Sequence, residues 1–96
     1  MKKTSFLINT SRGKIVNENN LIMYLQQNKI QGAGLDVFEK EPPDDDNPLL
    51  KNKRVVLSPH AATFTKEGLS KMSIQTVQNV IDYFENNLQQ TMIVKL

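Results

Sequence analysis

Three short apolar segments, each followed by a polar turn, constrain the fold of this chain more than any other feature. They are Ser5–Asn9, Leu35–Phe38 and Lys53–Ser58. Their apolar residues run continuously instead of alternating with polar ones, which is typical of parallel strands buried on both faces of a sheet. We therefore predict three parallel strands, in this order along the chain.

Two segments with helical periodicity accompany the strands. The first begins after Asn17, a favourable N-cap residue, and is predicted to continue to about Asn28. A longer helix is predicted from a Thr65 cap to Leu88. Between the second and third strands, Glu39–Pro48 contains three prolines and shows neither helical nor strand periodicity, so it is predicted to be a surface loop.

The resulting order is strand, helix, strand, loop, strand, helix, which predicts an α/β fold with a parallel sheet. Ile93 and Val94 add a last short apolar patch near the C-terminus. Three strands and two helices are few for an independent domain, because two helices cover both faces of a sheet poorly and a chain of 96 residues has a small core. We therefore expect the chain to resemble half of a larger domain.

Composition excludes several classes of protein. The sequence has no cysteine and one histidine, so we expect neither a disulfide nor a metal site. The net charge is +2 and the basic residues are scattered, unlike the basic stripe of a nucleic-acid-binding protein. No apolar run approaches the roughly 18 residues of a membrane span, and Met1–Leu7 is too short and polar for a signal peptide. We expect a soluble cytoplasmic chain with no nucleic-acid or membrane partner.

Chemically reactive side chains occur at the end of each predicted strand. Arg12 follows the first strand. Asp36 lies in the second strand with Glu41 after it, and His60 follows the third. Ligands of open parallel sheets bind just beyond the carboxyl ends of the strands, so we expect these four side chains to meet at one edge.

Together these residue types could assist the reduction of a carbonyl group beside a carboxylate, when a hydride donor delivers hydride to the carbonyl carbon. The guanidinium of Arg12 can hold the carboxylate with two hydrogen bonds, and His60 can give a proton to the carbonyl oxygen. Glu41 is suited to bond the other imidazole nitrogen, and Asp36 could accept a hydrogen bond from a cofactor amide or a protonated ring.

Taken singly, each of these residues also has an ordinary structural explanation. Arg12 could be an exposed turn residue, Asp36 a local cap, Glu41 a solvated loop residue and His60 a structural histidine. Their joint occurrence at three successive strand ends favours a functional site.

Two phosphate-binding motifs are incomplete. Gly32 and Gly34 would need a third glycine at position 37 to form the dinucleotide-binding turn, and Val37 occupies that position. Gly13 and Lys14 lack the other residues of a P-loop. We therefore expect neither of these two segments to bind phosphate.

Four ordered motifs carry a resemblance to a known family. They are Ile8–Gly13 (INTSRG), Gly32–Pro42 (GAGLDVFEKEP), Asn47–Leu50 (NPLL) and Ser58–His60 (SPH). This set resembles the C-terminal part of the nucleotide-binding domain in the D-isomer-specific 2-hydroxyacid dehydrogenases, which include D-3-phosphoglycerate dehydrogenase and hydroxypyruvate reductase. The resemblance implies a partial Rossmann-like sheet over residues 1–96, the second half of such a domain, with residues 85–96 starting the return to a substrate domain.

The resemblance also implies roles for individual residues. Arg12 corresponds to the arginine that binds the substrate carboxylate, and Glu41 to the glutamate paired with the proton donor, His60. The nicotinamide end of the cofactor would be lined by Thr10, Ser11, Arg12, Asp36, His60, Ala61, Ala62 and Thr63. The implied cofactor is NAD, with NADP not excluded, the partner is a small 2-oxo or 2-hydroxy acid, and the full-length protein is expected to be a homodimer.

Parts of the family's sequence pattern are not found in these 96 residues. Members carry a G-x-G-x-x-G turn and a substrate domain, and neither is present. We therefore expect the chain to be a fragment that is inactive alone and binds NADH far more weakly than a full-length relative. The alternative from another class is a noncatalytic nucleotide-binding or oligomerisation module of the same fold.

Overall fold

Three strands form one parallel sheet in the first part of the chain. They are β1 (Phe6–Asn9), β2 (Gly32–Leu35) and β3 (Val55–Leu57), in the spatial order β1-β2-β3. Helix α1 (Glu18–Gln26) connects β1 to β2. The computed structural model describes residues 1–93, which divide into a first unit ending at Ala62 and a second beginning at Thr63. The predicted α/β fold with a parallel sheet is confirmed.

The position predicted for the second strand is wrong by three residues. Leu35–Phe38 was expected from its apolar content, whereas β2 covers Gly32–Leu35. A central strand must approach both neighbours closely, and a Cβ on Gly32 would lie 2.5 Å from the carbonyl oxygen of Arg54. Glycine permits this approach, so backbone pairing places the strand in the small residues. Asp36 therefore follows the strand instead of lying inside it.

The apolar core lies on one face of the sheet. Leu7, Ala33 and Val55 are register partners on this face, and they pack with Leu21 and Leu25 of α1. On the opposite face the side chains are exposed, at 63% for Phe6, 69% for Ile8 and 75% for Val56. Within the first unit the prediction of burial on both faces is therefore wrong, because α1 and the core residues all pack against the same face.

The long loop between β2 and β3 is anchored to this core. It contains a short 3-10 helix, Pro48–Lys51, which the sequence did not predict. Asn47 caps this turn by accepting a hydrogen bond from the amide of Leu49, whose side chain is 1% exposed. Leu49 thus anchors the C-terminal part of this loop to the core.

The caps predicted for both helices are confirmed, while both helices end earlier than predicted. The Asn17 side chain accepts from the amide of Asn20 at 2.9 Å, and α1 ends at Gln26. Asn28 follows with a φ of 55°, a left-handed conformation that does not continue a helix.

The second unit contains helix α2 (Lys66–Phe84), capped by the Thr65 side chain. The helix ends four residues before the predicted Leu88, and Gln90–Met92 forms a short 3-10 helix. Ile93 of the predicted apolar patch is half-exposed, and Val94 lies outside the described residues. Among the helices described, none has the length and apolar character needed to cross a membrane.

Candidate active site

Glu41 and His60 form a hydrogen-bonded pair. The Nδ1 atom of His60 lies 2.8 Å from Oε2 of Glu41, and the other carboxylate oxygen accepts from the backbone amide of Phe38 at 3.1 Å. Both side chains of the pair are partly exposed, 49% for His60 and 40% for Glu41. The second imidazole nitrogen is therefore free to face a ligand while Glu41 orients the ring.

The environment favours the ionised form of Glu41. Its pKa lies below the ordinary value because the carboxylate accepts hydrogen bonds from His60 and then from Phe38, with the charge of Arg12 adding to the effect. The carboxylate is therefore negative at neutral pH and can stabilise a protonated imidazole beside it.

Asp36 is a buried carboxylate just beyond β2. It is 3% exposed, and its Oδ1 accepts from the Ser58 hydroxyl and from the amide of Ala61 at 2.8 Å. Its Oδ2 accepts from the amide of Ala62 at 2.9 Å. The hydrogen bond from Ser58 is the main reason that the pKa of Asp36 lies below its ordinary value, and those from Ala62 and Ala61 add to it.

These lowered pKa values predict loss of stability in acid. A carboxyl group whose pKa falls on folding contributes stability that is present above its unfolded pKa and is lost as pH falls through the folded value. The ordinary pKa values are 3.8 for Asp36 and 4.5 for Glu41, so unfolding midpoints in urea should begin to fall below about pH 4.5. The Glu41→Gln variant should show a flatter fall, because glutamine does not titrate.

The control for this titration is Asp45→Asn, at an exposed position in the acidic loop. It should retain the pH dependence of the unaltered chain. If the urea unfolding midpoint of Glu41→Gln falls at acid pH as steeply as that of the unaltered chain, the prediction is contradicted.

A buried asparagine shapes the turn that carries Arg12. Asn9, at the end of β1, accepts from the amide and the hydroxyl of Ser11, both at 3.1 Å. Its side-chain amide donates to the carbonyl oxygen of Arg12 at 3.0 Å. Sequence reasoning missed Asn9 as a site residue, although a polar residue at the end of a buried strand was a signal for it.

A reciprocal contact joins the start of α1 to the segment before Glu41. The amide of Glu18 donates to the Glu39 carboxylate at 2.8 Å, and the amide of Glu39 donates to the Glu18 carboxylate at 3.0 Å. Asn47 donates to the remaining Glu18 oxygen at 2.6 Å. This clasp holds the start of α1 against the loop that carries Glu41, and the sequence analysis did not identify its members.

Arg12 and the Glu41–His60 pair line the same cleft, which has a volume of about 460 Å³. Its other lining residues are Gly13, Lys14, Phe38 and Glu39. A second cavity of about 480 Å³ lies beside the pair and has a largely apolar wall that includes Phe38, Pro42 and Leu57. The first cleft therefore offers a fixed positive charge and an imidazole to one small anion.

The residues predicted to bind a cofactor lie in three segments, which follow β1, β2 and β3. Thr10 and Ser11 are exposed beyond β1, at the same edge of the sheet as Asp36 and His60. Ala61 and Ala62 direct their amides to Asp36. Thr63 is the first residue of the second unit, and its role stays a prediction.

The fold and this cleft define a class of protein. A parallel sheet with a charged cleft beyond its strand ends is the arrangement of Rossmann-like α/β proteins that bind nucleotides. A sequence model described as D-isomer specific 2-hydroxyacid dehydrogenase, NAD binding domain, matches residues 1–62. The chain therefore belongs to the D-isomer specific 2-hydroxyacid dehydrogenase family, and the resemblance read from its motifs is confirmed.

Individual relatives agree with this membership. The chain is 49% identical over 83 residues to a glyoxylate reductase of Korarchaeum cryptofilum, a match that covers 86% of the chain and 25% of the relative. A glyoxylate/hydroxypyruvate reductase structure from Sinorhizobium meliloti, in complex with NADP and malonate, superposes with a TM-score of 0.72 at 40% identity. It covers 86% of this chain and 26% of that one.

A further structure, the NAD complex of a D-isomer specific 2-hydroxyacid dehydrogenase from Lactobacillus delbrueckii, superposes with a TM-score of 0.74 at 29% identity and covers 98% of this chain and 33% of that one. The chain thus spans about a quarter to a third of the length of these relatives. The structural neighbours include complexes with NAD and with NADP, which agrees with the cofactor prediction.

Proposed function

We propose that this chain carries the substrate-binding and proton-transfer side chains of an NAD(P)-dependent oxidoreductase that interconverts a 2-oxo acid and a D-2-hydroxy acid. The observation that carries the proposal is the shared cleft, in which the Glu41–His60 pair and the Arg12 guanidinium are brought together from three separate segments. Glyoxylate and hydroxypyruvate appear in the names of the relatives, so they are the substrates to test first.

Each of these residues has a defined task in the proposed reaction. Arg12 binds the carboxylate of the acid and withdraws electrons from the neighbouring carbonyl. His60 gives its proton to the carbonyl oxygen during reduction and takes it back in the reverse direction. Glu41 holds the ring through Nδ1 and stabilises its protonated form, so that Nε2 carries the reacting proton.

The residues beyond β1 and β3 fit the nicotinamide end of a cofactor. Thr10 and Ser11 are exposed and provide hydroxyl groups at the same edge of the sheet as His60. When bound there, NAD(P)H supplies the hydride for the carbonyl carbon. The pyrophosphate needs other residues, because the 96 residues contain no G-x-G-x-x-G turn.

A chimera tests the proposal. The chain replaces the matching stretch of the Korarchaeum cryptofilum glyoxylate reductase, which supplies the remaining three quarters of the protein. The chimera should reduce glyoxylate or hydroxypyruvate, followed by the loss of NAD(P)H absorbance. The 96-residue chain alone is the control, and it should show no turnover because it lacks the phosphate-binding turn.

One observation favours a second candidate function. The exposed apolar face of the sheet, with Phe6, Ile8 and Val56, is suited to association, as expected of a noncatalytic or oligomerisation module. A folded chimera that binds NADH but turns over neither acid would contradict the catalytic proposal and favour this alternative. A cytoplasmic location and a homodimeric full-length protein stay predictions.

A further inference from the structure

The turn that presents His60 has an unusual backbone. His60 has a φ of 54°, in the left-handed region that non-glycine residues rarely occupy. Such a conformation persists where surrounding contacts determine it. The hydrogen bond of Glu41 is made to the imidazole ring, so it does not account for the conformation of the His60 backbone.

Asp36 supplies contacts on both sides of this residue. Its carboxylate accepts from Ser58, two residues before His60, and from the amides of Ala61 and Ala62, the two residues after it. Donors on both sides of His60 that are directed at one carboxylate restrict the path of the backbone through His60. With 3% exposure, the carboxylate meets little competition from water for these donors.

We propose that Asp36 is a positioning residue, which fixes the left-handed turn at His60 and so brings the imidazole within reach of Glu41. It acts through the Ser58 hydroxyl and the amides of Ala61 and Ala62. This role is additional to the cofactor contact predicted for Asp36, and it rests on the proposed function only for the task of His60. A purely structural role would instead leave the Glu41–His60 contact intact in every folded variant.

Asp36→Asn disturbs these contacts with little change in shape. An asparagine has one acceptor oxygen and one NH2 group in place of two acceptor oxygens. In either orientation of the amide, the backbone N–H of Ala61 or of Ala62 faces this NH2 group, and a donor that faces a donor loses its hydrogen bond. The turn at His60 then loses at least one of its anchors.

The titration of Glu41 in the 96-residue chain reports the contact. The pKa of Glu41 is held low mainly by the hydrogen bond with His60, so it should rise toward its ordinary value in Asp36→Asn. Removing the negative charge of Asp36 would by itself lower the pKa of Glu41, because like charges disfavour ionisation. A rise therefore has the opposite sign to the simple charge effect and indicates that the His60 contact is lost.

The measurement is a pH titration of the Glu41 side-chain carboxyl carbon by NMR, with the amide of Ala33 as a check that the sheet is intact. Ala33 donates to Arg54 at 3.0 Å, between β2 and the residue that precedes β3. His60→Ala gives the reference for complete loss of the contact. Asp45→Asn, which makes the same change at an exposed position, should leave the Glu41 titration unchanged.

Each outcome decides the proposal. A folded Asp36→Asn variant with an unchanged Glu41 titration overturns the proposal. If the pKa of Glu41 still rises in His60→Ala, the Glu41–His60 pair of the proposed function is supported all the same. If His60→Ala also leaves the titration unchanged, the pair itself is absent in solution and the proposed function fails with it. If Asp36→Asn does not fold, Ser58→Ala decides: it removes one of the three donors, and a smaller rise supports the role whereas no rise overturns it.

Discussion

Replacement of His60 by glutamine is expected to lower kcat for 2-oxo acid reduction in the chimera about 10²–10⁴-fold, the usual contribution of a general acid. Glutamine can still donate a hydrogen bond to the substrate oxygen, but it has no proton to release at neutral pH. Arg12 is unchanged, so KM should change much less than kcat. Steady-state kinetics with glyoxylate, at saturating NADH and NADPH in turn, measure both constants.

Two further variants make this result specific to proton transfer. Glu41→Gln retains an acceptor for Nδ1 and loses the charge, so it should cause a smaller loss of kcat. Lys51→Gln removes a charge at an exposed position of the 3-10 helix and should leave both constants unchanged. A His60→Gln variant that retains more than about a tenth of kcat would contradict the role of His60 as general acid.

The placement of the candidate site residues was predictable because it depends on topology. The carboxyl ends of parallel strands meet at one edge, so Arg12, Glu41 and His60 could be grouped once three strands had been identified. The contact between Glu41 and His60 was suggested by this grouping, because a carboxylate at the same edge is suited to bond an imidazole nitrogen.

The support around the site was not predictable in the same way. The hydrogen bonds of Asp36 go to a hydroxyl and to two backbone amides, and no residue type identifies a backbone amide as a donor in advance. The clasp of Glu18 and Glu39 likewise depends on the path of the loop between β2 and β3 past the start of α1. Such contacts require the three-dimensional path of the loops.

The burial of the sheet shows a second limit of sequence reasoning. Ile8 and Val56 belong to continuous apolar segments, which predicts two buried faces, yet both are exposed here. Apolar content indicates that burial of a surface is favourable, but it does not identify the segment that buries it. The same reasoning misplaced the second strand, because the apolar content of Leu35–Phe38 outweighed the close backbone approach that Gly32 permits.

Gly13→Ala is expected to destabilise the first unit by about 3 kcal/mol, at the upper end of the usual cost of inserting a methyl group into a filled space. A Cβ at this position would lie 1.8 Å from the carbonyl oxygen of Phe38 and 2.4 Å from the amide nitrogen of Glu39. Both are backbone atoms, so neither can rotate away. Urea unfolding followed by circular dichroism measures the loss, which is a large part of the roughly 5–14 kcal/mol of a domain this size.

The expected loss of stability comes from steric overlap and not from backbone conformation, since no glycine of the described chain has a positive φ. Gly34→Ala is therefore a matched control: its Cβ would lie 3.0 Å from Cδ1 of Ile8, the flexible end of an exposed side chain. It should change the unfolding free energy by less than about 1 kcal/mol. Equal effects of the two substitutions would contradict the argument. A selective loss at Gly13 would show that the Arg12 turn packs against the segment leading to Glu41 too closely to admit a side chain.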